Sequence, residues 1–173
     1  MDELVSWSKT WGMVFNIKKC SIVSITNVKK NRQRHSYQMD GQPIKTIDNT
    51  PYLGVNINRK LQWQQHIDNI SSAANRMLGF LSRTMRRCPQ KLKERAYKTM
   101  VRPKLEYCSS IWDPHQQKYV AKIEMVQRRA ARFVKNIPHR HSAGPQPSVT
   151  AMVNQLGWIP LKDRRHNNNC SSL

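Results

Sequence analysis

The sequence predicts an α+β fold, and two patterns along the chain support this prediction. The first third has short runs rich in β-branched residues between turn-forming pairs, which is typical of antiparallel strands. From about residue 64 onward, apolar residues recur every three or four positions, which is the period of a helix face. We therefore expect a small helix and strand unit over residues 1–62, a helical bundle over 63–137, and a linker, short helix and frayed basic and polar tail over 138–173.

The N-terminal unit opens with an amphipathic helix over residues 1 to about 13. Gly12 suits the position after its last turn, because glycine adopts the left-handed conformation that commonly ends a helix. The residues that fall near one face of this helix are Leu4, Val5, Trp7, Ser8 and Trp11.

Three further segments of this unit predict strands and turns. Residues 20–28 are rich in β-branched residues and predict a strand, and the basic run at 29–34 has turn character. Asp40 and Gly41 predict a hairpin turn. Residues 50–58, TPYLGVNIN, predict a last strand with Gly54 in its middle. Since glycine packs no side chain there, Gly54 indicates a bulge, a bend or a backbone that approaches a ligand closely.

The helical part predicts three helices and then a short fourth one. The first begins near residue 64 and buries Ile67, Ile70, Ala74, Met77, Leu78, Leu81 and Met85. The second begins at Pro89 or Gln90 and buries Leu92, Ala96, Met100 and Val101, and Pro103 should kink or interrupt it. The fourth follows the linker, with Ser148 as its N-cap.

The third helix, residues 116–137, has faces of different character. At 100° per residue its apolar residues cluster on one side, Val120, Ile123, Val126, Ala130, Phe133, Val134 and Ile137. The opposite side has one acidic neighbour, Glu124, and six basic residues, Lys118, Lys122, Arg128, Arg129, Arg132 and Lys135. A solvated helix usually mixes both signs, so this face favours phosphate binding over a plain surface helix.

The charge of the whole chain points to a polyanionic partner. Thirty Lys and Arg against ten Asp and Glu give a formal net charge of +20, and nucleic acid is the partner that such a balance favours. The four cysteines have no paired spacing, which predicts neither a disulfide framework nor a CxxC redox site. No apolar run reaches membrane-spanning length and the N-terminus lacks signal-peptide character, so we predict an intracellular protein, nuclear or cytoplasmic, without a membrane partner.

The same composition argues against catalysis by this chain alone. Metal-dependent phosphoryl or nucleotidyl transfer needs close carboxylates, and apart from Asp2 and Glu3 no two acidic residues are adjacent. The histidines and cysteines lack the paired spacing of a zinc site, and no GxGxxG, GxxxxGK[ST] or GxSxG motif occurs. We predict no metal site.

Five segments in order resemble the C-terminal part of a reverse transcriptase from a non-LTR, LINE-type retrotransposon. They are WGMVFNIKKCSIVSI, PYLGVNI, Trp63 with His66 and Ile67, RPKLEYCSSIWDP, and IEMVQRRAARFV. The resemblance extends to about Arg165. It implies that residues 1–62 are part of the palm with its primer grip, and that the helices from 63 onward are the thumb and the connecting region.

The resemblance also assigns roles to residues. It implies that Lys19 donates a proton to the pyrophosphate leaving group, and that Tyr52, Leu53 and Gly54 form the primer grip, a tight turn whose backbone approaches the primer. It implies that basic helix residues hold the backbone of an RNA and DNA template-primer duplex. From the thumb helices we select Arg76, Arg83, Arg86 and Arg87, and from the third helix Lys122, Arg128, Arg129, Arg132 and Lys135.

The family's aspartate pair is not found in this sequence, so the resemblance implies a fragment that binds template-primer and does not polymerise alone. Mg²⁺ is expected only with those aspartates, in a missing upstream half of the enzyme, and we expect no cofactor in this chain. Two other interpretations stay open: a stand-alone basic helical module that binds RNA or DNA, and a remnant without function. The oligomeric state is also open.

Overall fold

The computed structural model describes residues 2–26, 35–137 and 148–170, and the chain divides into two compact units, Met1–Trp63 and Gln64–Leu173. The predicted α+β class is confirmed. The first unit contains α1 (Asp2–Thr10), a 3₁₀ turn (Ile17–Lys19), β1 (Ser21–Ile22), β2 (Gln38–Met39), β3 (Gln42–Pro43), β4 (Lys45–Thr46), β5 (Asn49–Tyr52) and β6 (Val55–Asn58). The second contains α2 (Gln64–Thr84), α3 (Gln90–Ala96), a π-helical segment (Tyr97–Val101), α4 (Arg102–Glu106), α5 (Ser109–Trp112), α6 (Gln117–Val134), α7 (Val149–Gln155) and α8 (Leu161–Cys170). No helix in the described ranges combines the length and the apolar character needed to cross a membrane.

Helix α1 ends as its sequence predicts. Gly12 has a φ of +64°, and the amide of Met13 donates to the carbonyl of Ser8 at 2.8 Å. The amide of Gly12 donates to the carbonyl of Lys9 at 3.3 Å, which completes the paired hydrogen bonds of a Schellman motif. The helix end is therefore satisfied by its own backbone.

The apolar face of α1 is largely exposed within this chain. Leu4, Trp7 and Trp11 are exposed, and Ser8 is buried, its hydroxyl donating to the carbonyl of Val5 at 2.8 Å. The buried apolar residues of the unit lie in its strands and turns, at Met39, Ile44 and Val55. The core of the first unit is small for this reason.

The strand predicted over residues 20–28 is much shorter in the structure, and its residues 27 and 28 lie outside the described ranges, as does the basic run at 29–34. Of this predicted strand, the structure has β1, which pairs in parallel with β4. Ser21 lies opposite Lys45 and Ile22 opposite Thr46. The predicted strand was too long. A strand extends only where a partner strand hydrogen-bonds to it, which β propensity does not reveal, and the partner strand β4 has two residues. The hairpin turn predicted at Asp40 and Gly41 is confirmed between β2 and β3.

Residues 50–58 belong to a hairpin, so the single strand predicted from composition was wrong, whereas the tight turn that the resemblance implies at Tyr52, Leu53 and Gly54 is present. Strands β5 and β6 are antiparallel, with Tyr52 opposite Val55, so Leu53 and Gly54 are the two central residues of the turn. Both have positive φ, 47° and 83°, as a type I′ turn requires. Gly54 is needed there because glycine adopts this conformation without steric cost.

In the second unit, α2 and α6 pack against each other and bury the apolar faces that the periodicity predicts. The core residues they contribute are Ile67, Ala74, Leu78 and Leu81 from α2 and Val120, Ile123, Val126, Ala130 and Val134 from α6. A second layer comes from Tyr97, Val101 and Leu105 of the segment between them, and from Met152, Trp158 and Leu161 near the end of the chain.

Pro103 interrupts the regular α-helix, as predicted, by way of a π-helical segment. Residues Tyr97–Val101 are π-helical and α4 begins at Arg102, which places Pro103 in the first turn of α4. A proline lacks an amide hydrogen and clashes with the carbonyl four residues earlier, so a wider turn before it relieves both problems.

The tail predicted to fray from about Arg164 is instead helix α8, through Cys170. Arg165 is fully buried, and its Nε donates to Oδ1 of Asp113 at 2.7 Å. Arg164 donates from Nε to Oε1 of Glu106 at 2.6 Å. The prediction was wrong because a low apolar content does not reveal ion pairs with residues about fifty positions earlier.

Candidate nucleic-acid interface

A basic groove lies on the surface of the second unit where α2 and α6 pack. It encloses about 1060 Å³. Its lining residues are Asn75, Leu78, Gly79, Ser82, Arg83, Arg86, Lys93, Arg129, Arg132, Phe133, Asn136 and Ile137. Five of them are basic and, among the described residues that line the groove, none is acidic. A concave surface of one sign concentrates counter-charged ligands.

The arginines reach the groove from both sides. Arg83 comes from the last turn of α2 and Arg86 from the turn that follows, whereas Arg129 and Arg132 lie one turn apart on α6. Nη1 of Arg129 donates to Oδ1 of Asn75 at 3.0 Å, which fixes its guanidinium across the helix pair. Four of the nine nucleic-acid-binding residues predicted on the helices are thus brought together.

Lys93 supplies the fifth positive charge, at the bottom of the groove. It is 1% exposed, and its Nζ donates to the backbone carbonyl of Arg86 at 2.9 Å and to Oδ1 of Asn136. The same Nζ lies 5.5 Å from the ring centroid of Phe133. The buried ammonium is therefore held by two hydrogen bonds and an aromatic face, with no carboxylate partner within the described chain.

On α3, the burial of two adjacent residues is the reverse of the prediction. Leu92 was placed on the buried face, but it is 48% exposed, and the adjacent Lys93 is buried. Periodicity could not find this, because a lysine at a buried position reads as polar. The sequence holds no signal that singles out Lys93, because Lys91 and Arg95 on the same helix are also basic and are exposed.

A smaller hollow continues from the groove. It is lined by Arg83, Thr84, Arg86 and Arg87, so it shares two arginines with the groove and adds Arg87. The basic surface therefore extends past the end of α2.

The other predicted helix residues lie outside both hollows. Nζ of Lys122 contacts Oδ1 of Asp68 at 2.5 Å, and Nζ of Lys135 donates to Oε1 of Gln155 at 3.2 Å. Arg76 and Arg128 are exposed and line neither the groove nor the hollow. The basic face predicted on α6 is thus divided between the groove, an ion pair and the surface.

The hairpin of the first unit presents its turn residues to solvent. Tyr52 is 62% exposed and Leu53 is 74% exposed, and Leu53 keeps a positive φ that is uncommon for a large apolar residue. Lys19 lies elsewhere in this unit, exposed at the end of the 3₁₀ turn, where its amide donates to the carbonyl of Asn16 at 2.9 Å.

Most carboxylates among the described residues face a basic side chain or a backbone amide. Asp48, Asp68, Glu94, Glu106 and Asp113 each face a different basic side chain, and Oε1 of Glu124 accepts from the amide of Lys162 at 2.8 Å. Within the described residues, no group of three or more His, Cys, Asp or Glu is close enough to hold a metal ion.

Two of these carboxylates have pKa values shifted in opposite directions. Hydrogen bonds from Lys98 and from Nε1 of Trp158 lower the pKa of Glu94. Burial raises the pKa of Glu124, although the hydrogen bond from Lys162 and the charge of Arg165 oppose this shift. Glu94 therefore joins α3 to the segment before α8, and Glu124 joins α6 to α8.

The groove has the charge and shape of a polyanion-binding surface, and sequence comparison identifies the protein class to which the chain is related. It is 23% identical over 141 residues to the "RNA-directed DNA polymerase from mobile element jockey" of Drosophila melanogaster, which covers 80% of this chain and 15% of that protein. The jockey polymerase of Drosophila funebris matches with the same identity and coverage. The "Probable RNA-directed DNA polymerase from transposon X-element" of Drosophila melanogaster is 24% identical over 133 residues, 74% of this chain and 14% of that protein.

The chain is related to the reverse transcriptases of non-LTR, LINE-type retrotransposons, as its sequence motifs indicate. It spans about 15% of the length of the curated relatives that it matches. No protein-family model and no solved structure matches the chain.

Proposed function

We propose that this chain belongs to a retrotransposon reverse transcriptase and binds the sugar-phosphate backbone of its template-primer. The observation that supports this proposal best is the groove between α2 and α6, where five basic side chains converge without an acidic one among the described lining residues. Contacts to phosphates are independent of sequence, which suits an enzyme that copies any template.

In this proposal the helical unit acts as the thumb and the β5–β6 hairpin as the primer grip. The turn at Leu53 and Gly54 supports the second role, because its two left-handed residues place exposed backbone at the tip of the hairpin. Tyr52 and Leu53 then flank the primer backbone with exposed apolar surface.

The proposal includes no nucleotide incorporation by the chain alone. Glu94, Glu106 and Asp113 pair with separate cations, and Glu124 accepts from a backbone amide, so the proposal assigns no metal ions to these four carboxylates. Lys19 could donate a proton only in an enzyme whose carboxylates are supplied by other residues.

The test is fluorescence anisotropy of the whole chain on a labelled RNA–DNA duplex with a recessed 3′ end and on a blunt duplex of equal length, each titrated with salt. We expect tighter binding to the recessed end, with log affinity falling by about 0.9 per contacted phosphate for each decade of salt. Equal affinity for the two ligands would contradict the primer-grip role. Template-dependent incorporation of nucleotides by the purified chain would contradict the predicted lack of polymerase activity.

A second candidate function is a stand-alone basic module that binds RNA or DNA. One observation favours it: the groove and the adjoining hollow lie wholly within the helical unit and need no residue of the hairpin. The same experiment separates the two functions, since this module would bind blunt and recessed duplexes alike.

A further inference from the structure

The lining of the groove has two parts that a duplex backbone would not use together. Four arginines line it, which are called the rim below, and so do the apolar side chains of Leu78, Phe133 and Ile137, which are called the wall. Phosphates need only cations, and in a continuous duplex the bases are stacked inside, away from a protein wall. A base that is unpaired can reach such a wall.

We infer that the groove receives an unpaired nucleotide, with its base against the apolar wall and its phosphates on the arginine rim. The ligand is thus a single-stranded segment of RNA or DNA. This inference deepens the proposed function and rests on it, because a template-primer has an unpaired template strand beyond its duplex.

The size of the groove agrees with such a ligand. Sites that enclose small molecules and cofactors have volumes of about 300–1,000 Å³, and this groove, at about 1060 Å³, is slightly larger. It accommodates a nucleotide with its phosphates, whereas a phosphate contact on a duplex needs no cavity.

Gly79 opens the α2 wall of this groove. A Cβ at this position would meet only Nη1 of Arg83, at 3.6 Å, so a side chain would project into the groove beside the arginine. Glycine in a helix interior costs about 1 kcal/mol relative to alanine. The glycine leaves space in the groove that a side chain would occupy.

Lys93 adds a donor at the bottom of the same cavity. An ammonium has three hydrogens to donate, and within the described chain Nζ of Lys93 makes two hydrogen bonds, to Arg86 and Asn136. The third donor belongs to a side chain that is 1% exposed and lines the groove. A base carbonyl or a phosphate oxygen would accept this third hydrogen bond from Lys93.

The experiment measures binding of the whole chain to a labelled single-stranded oligonucleotide, as RNA and as DNA, and to the same strand with abasic sites. The abasic strand keeps every phosphate and loses the bases. We expect about tenfold weaker binding to it, since stacking on a protein surface contributes about 1–3 kcal/mol per base. Equal affinity for the intact and abasic strands would overturn the inference.

Variants of Gly79 test the position of the base. Gly79→Leu should weaken single-strand binding about tenfold and blunt-duplex binding less than twofold, because it fills the space beside the apolar side chains and keeps all four arginines in the chain. Ser72→Leu, at an exposed position of α2 that does not line the groove, is the matched control and should change both less than twofold. If Gly79→Leu fails to show a cooperative thermal transition by circular dichroism, Phe133→Leu provides the test instead, since it removes the ring and keeps an apolar side chain.

The outcomes separate this inference from the proposed function. A chain that prefers the recessed duplex but binds intact and abasic strands equally supports the proposed function and overturns the inference. A chain that binds intact strands more tightly than abasic strands, but binds recessed and blunt duplexes equally, supports the inference and contradicts the primer-grip role. Displacement of the single strand by an equal concentration of polyglutamate would also overturn the inference, because it would show recognition of charge without bases.

Discussion

Nε of Arg165 donates to Oδ1 of Asp113 at 2.7 Å, and this contact ties the last described helix to the end of the RPKLEYCSSIWDP segment. The guanidinium lies 5.9 Å from the ring of Trp112, whose other neighbour is the ring of His66 at 5.1 Å. Trp112 is itself fixed by a 2.7 Å hydrogen bond from Nε1 to the carbonyl of Tyr107. Motif residues from α2 and α5 therefore pack around one buried cation.

Removing the carboxylate of this pair should strongly destabilise the fold. In Asp113→Ala the guanidinium of Arg165 stays buried without its anionic partner, and the loss of one partner of a buried pair costs about 3–5 kcal/mol. We expect about 3 kcal/mol, since Asp113 itself is a third exposed. Urea unfolding followed by circular dichroism measures it. Asp163→Ala, an exposed acid on α8, is the control, and a loss no larger than that of the control would contradict the prediction.

Tyr97→Phe should leave stability unchanged or raise it. The side chain is 1% exposed, and its hydroxyl has no hydrogen-bond partner among the described residues. Burial raises the pKa of Tyr97 for the same reason. A buried, unpaired hydroxyl costs about 1–3 kcal/mol, and the ring keeps its stacking on Trp158 at 4.5 Å when the hydroxyl is removed. A lower melting temperature of the variant would show that the hydroxyl has a partner in solution.

His66 should make the fold less stable as the pH falls below neutrality. Burial lowers the pKa of His66 in the folded chain, so the unfolded chain binds a proton first, from about pH 6.5 downward. Stability is therefore complete above pH 6.5 and is lost as the pH falls toward the lowered folded pKa. His66→Gln should reduce the difference in melting temperature between pH 8 and pH 5.5. His115→Gln, at an exposed position, should leave that difference unchanged, and equal behaviour of the two variants would contradict the prediction.

The helical elements could be predicted because their cores follow a local period. Residues such as Ile67, Ala74 and Leu78 repeat at helical spacing, and each is buried where the pattern places it. Helix α8 could not be predicted in this way, since the burial of Arg165 depends on Asp113, fifty-two residues earlier. Ion pairs between distant segments leave no periodic signal.

The candidate site was predictable in its charges but not in its shape. The arginines of α2 and α6 stand out in composition, yet only the packing of the two helices shows that Arg83 and Arg132 share a groove and that Arg128 does not. The apolar wall around Phe133 was read as core, because its spacing is that of the buried face. The positions of basic residues on two packed helices, and not their spacing along one helix, determine which of them line the same groove.

Charge removal inside the groove should weaken binding of nucleic acid more than removal outside it. Arg83→Ala and Arg132→Ala should each reduce the slope of log affinity against log salt by about 1, as expected for one lost phosphate contact. Arg128→Ala is the matched control, on the same helix as Arg132 but outside the groove. Salt titrations by fluorescence anisotropy measure the slopes, and the same change in all three variants would show that binding depends only on net charge.

The strained turn of the β5–β6 hairpin predicts opposite effects on stability and on recognition of a primer end. Leu53 has a φ of 47°, a conformation that costs an ordinary residue about 1–2 kcal/mol and that asparagine adopts more readily. Leu53→Asn should therefore raise the melting temperature of the whole chain, and Gly54→Ala should lower it.

If the exposed Leu53 contacts the primer, Leu53→Asn should also reduce the preference for a recessed over a blunt duplex, because it removes apolar surface from the tip of the hairpin. Binding to the blunt duplex serves as the control, since the basic groove is unchanged. A variant that is more stable and keeps the full preference would show that Leu53 is strained for a reason other than the primer, and would leave the backbone at Gly54 as the element to test next.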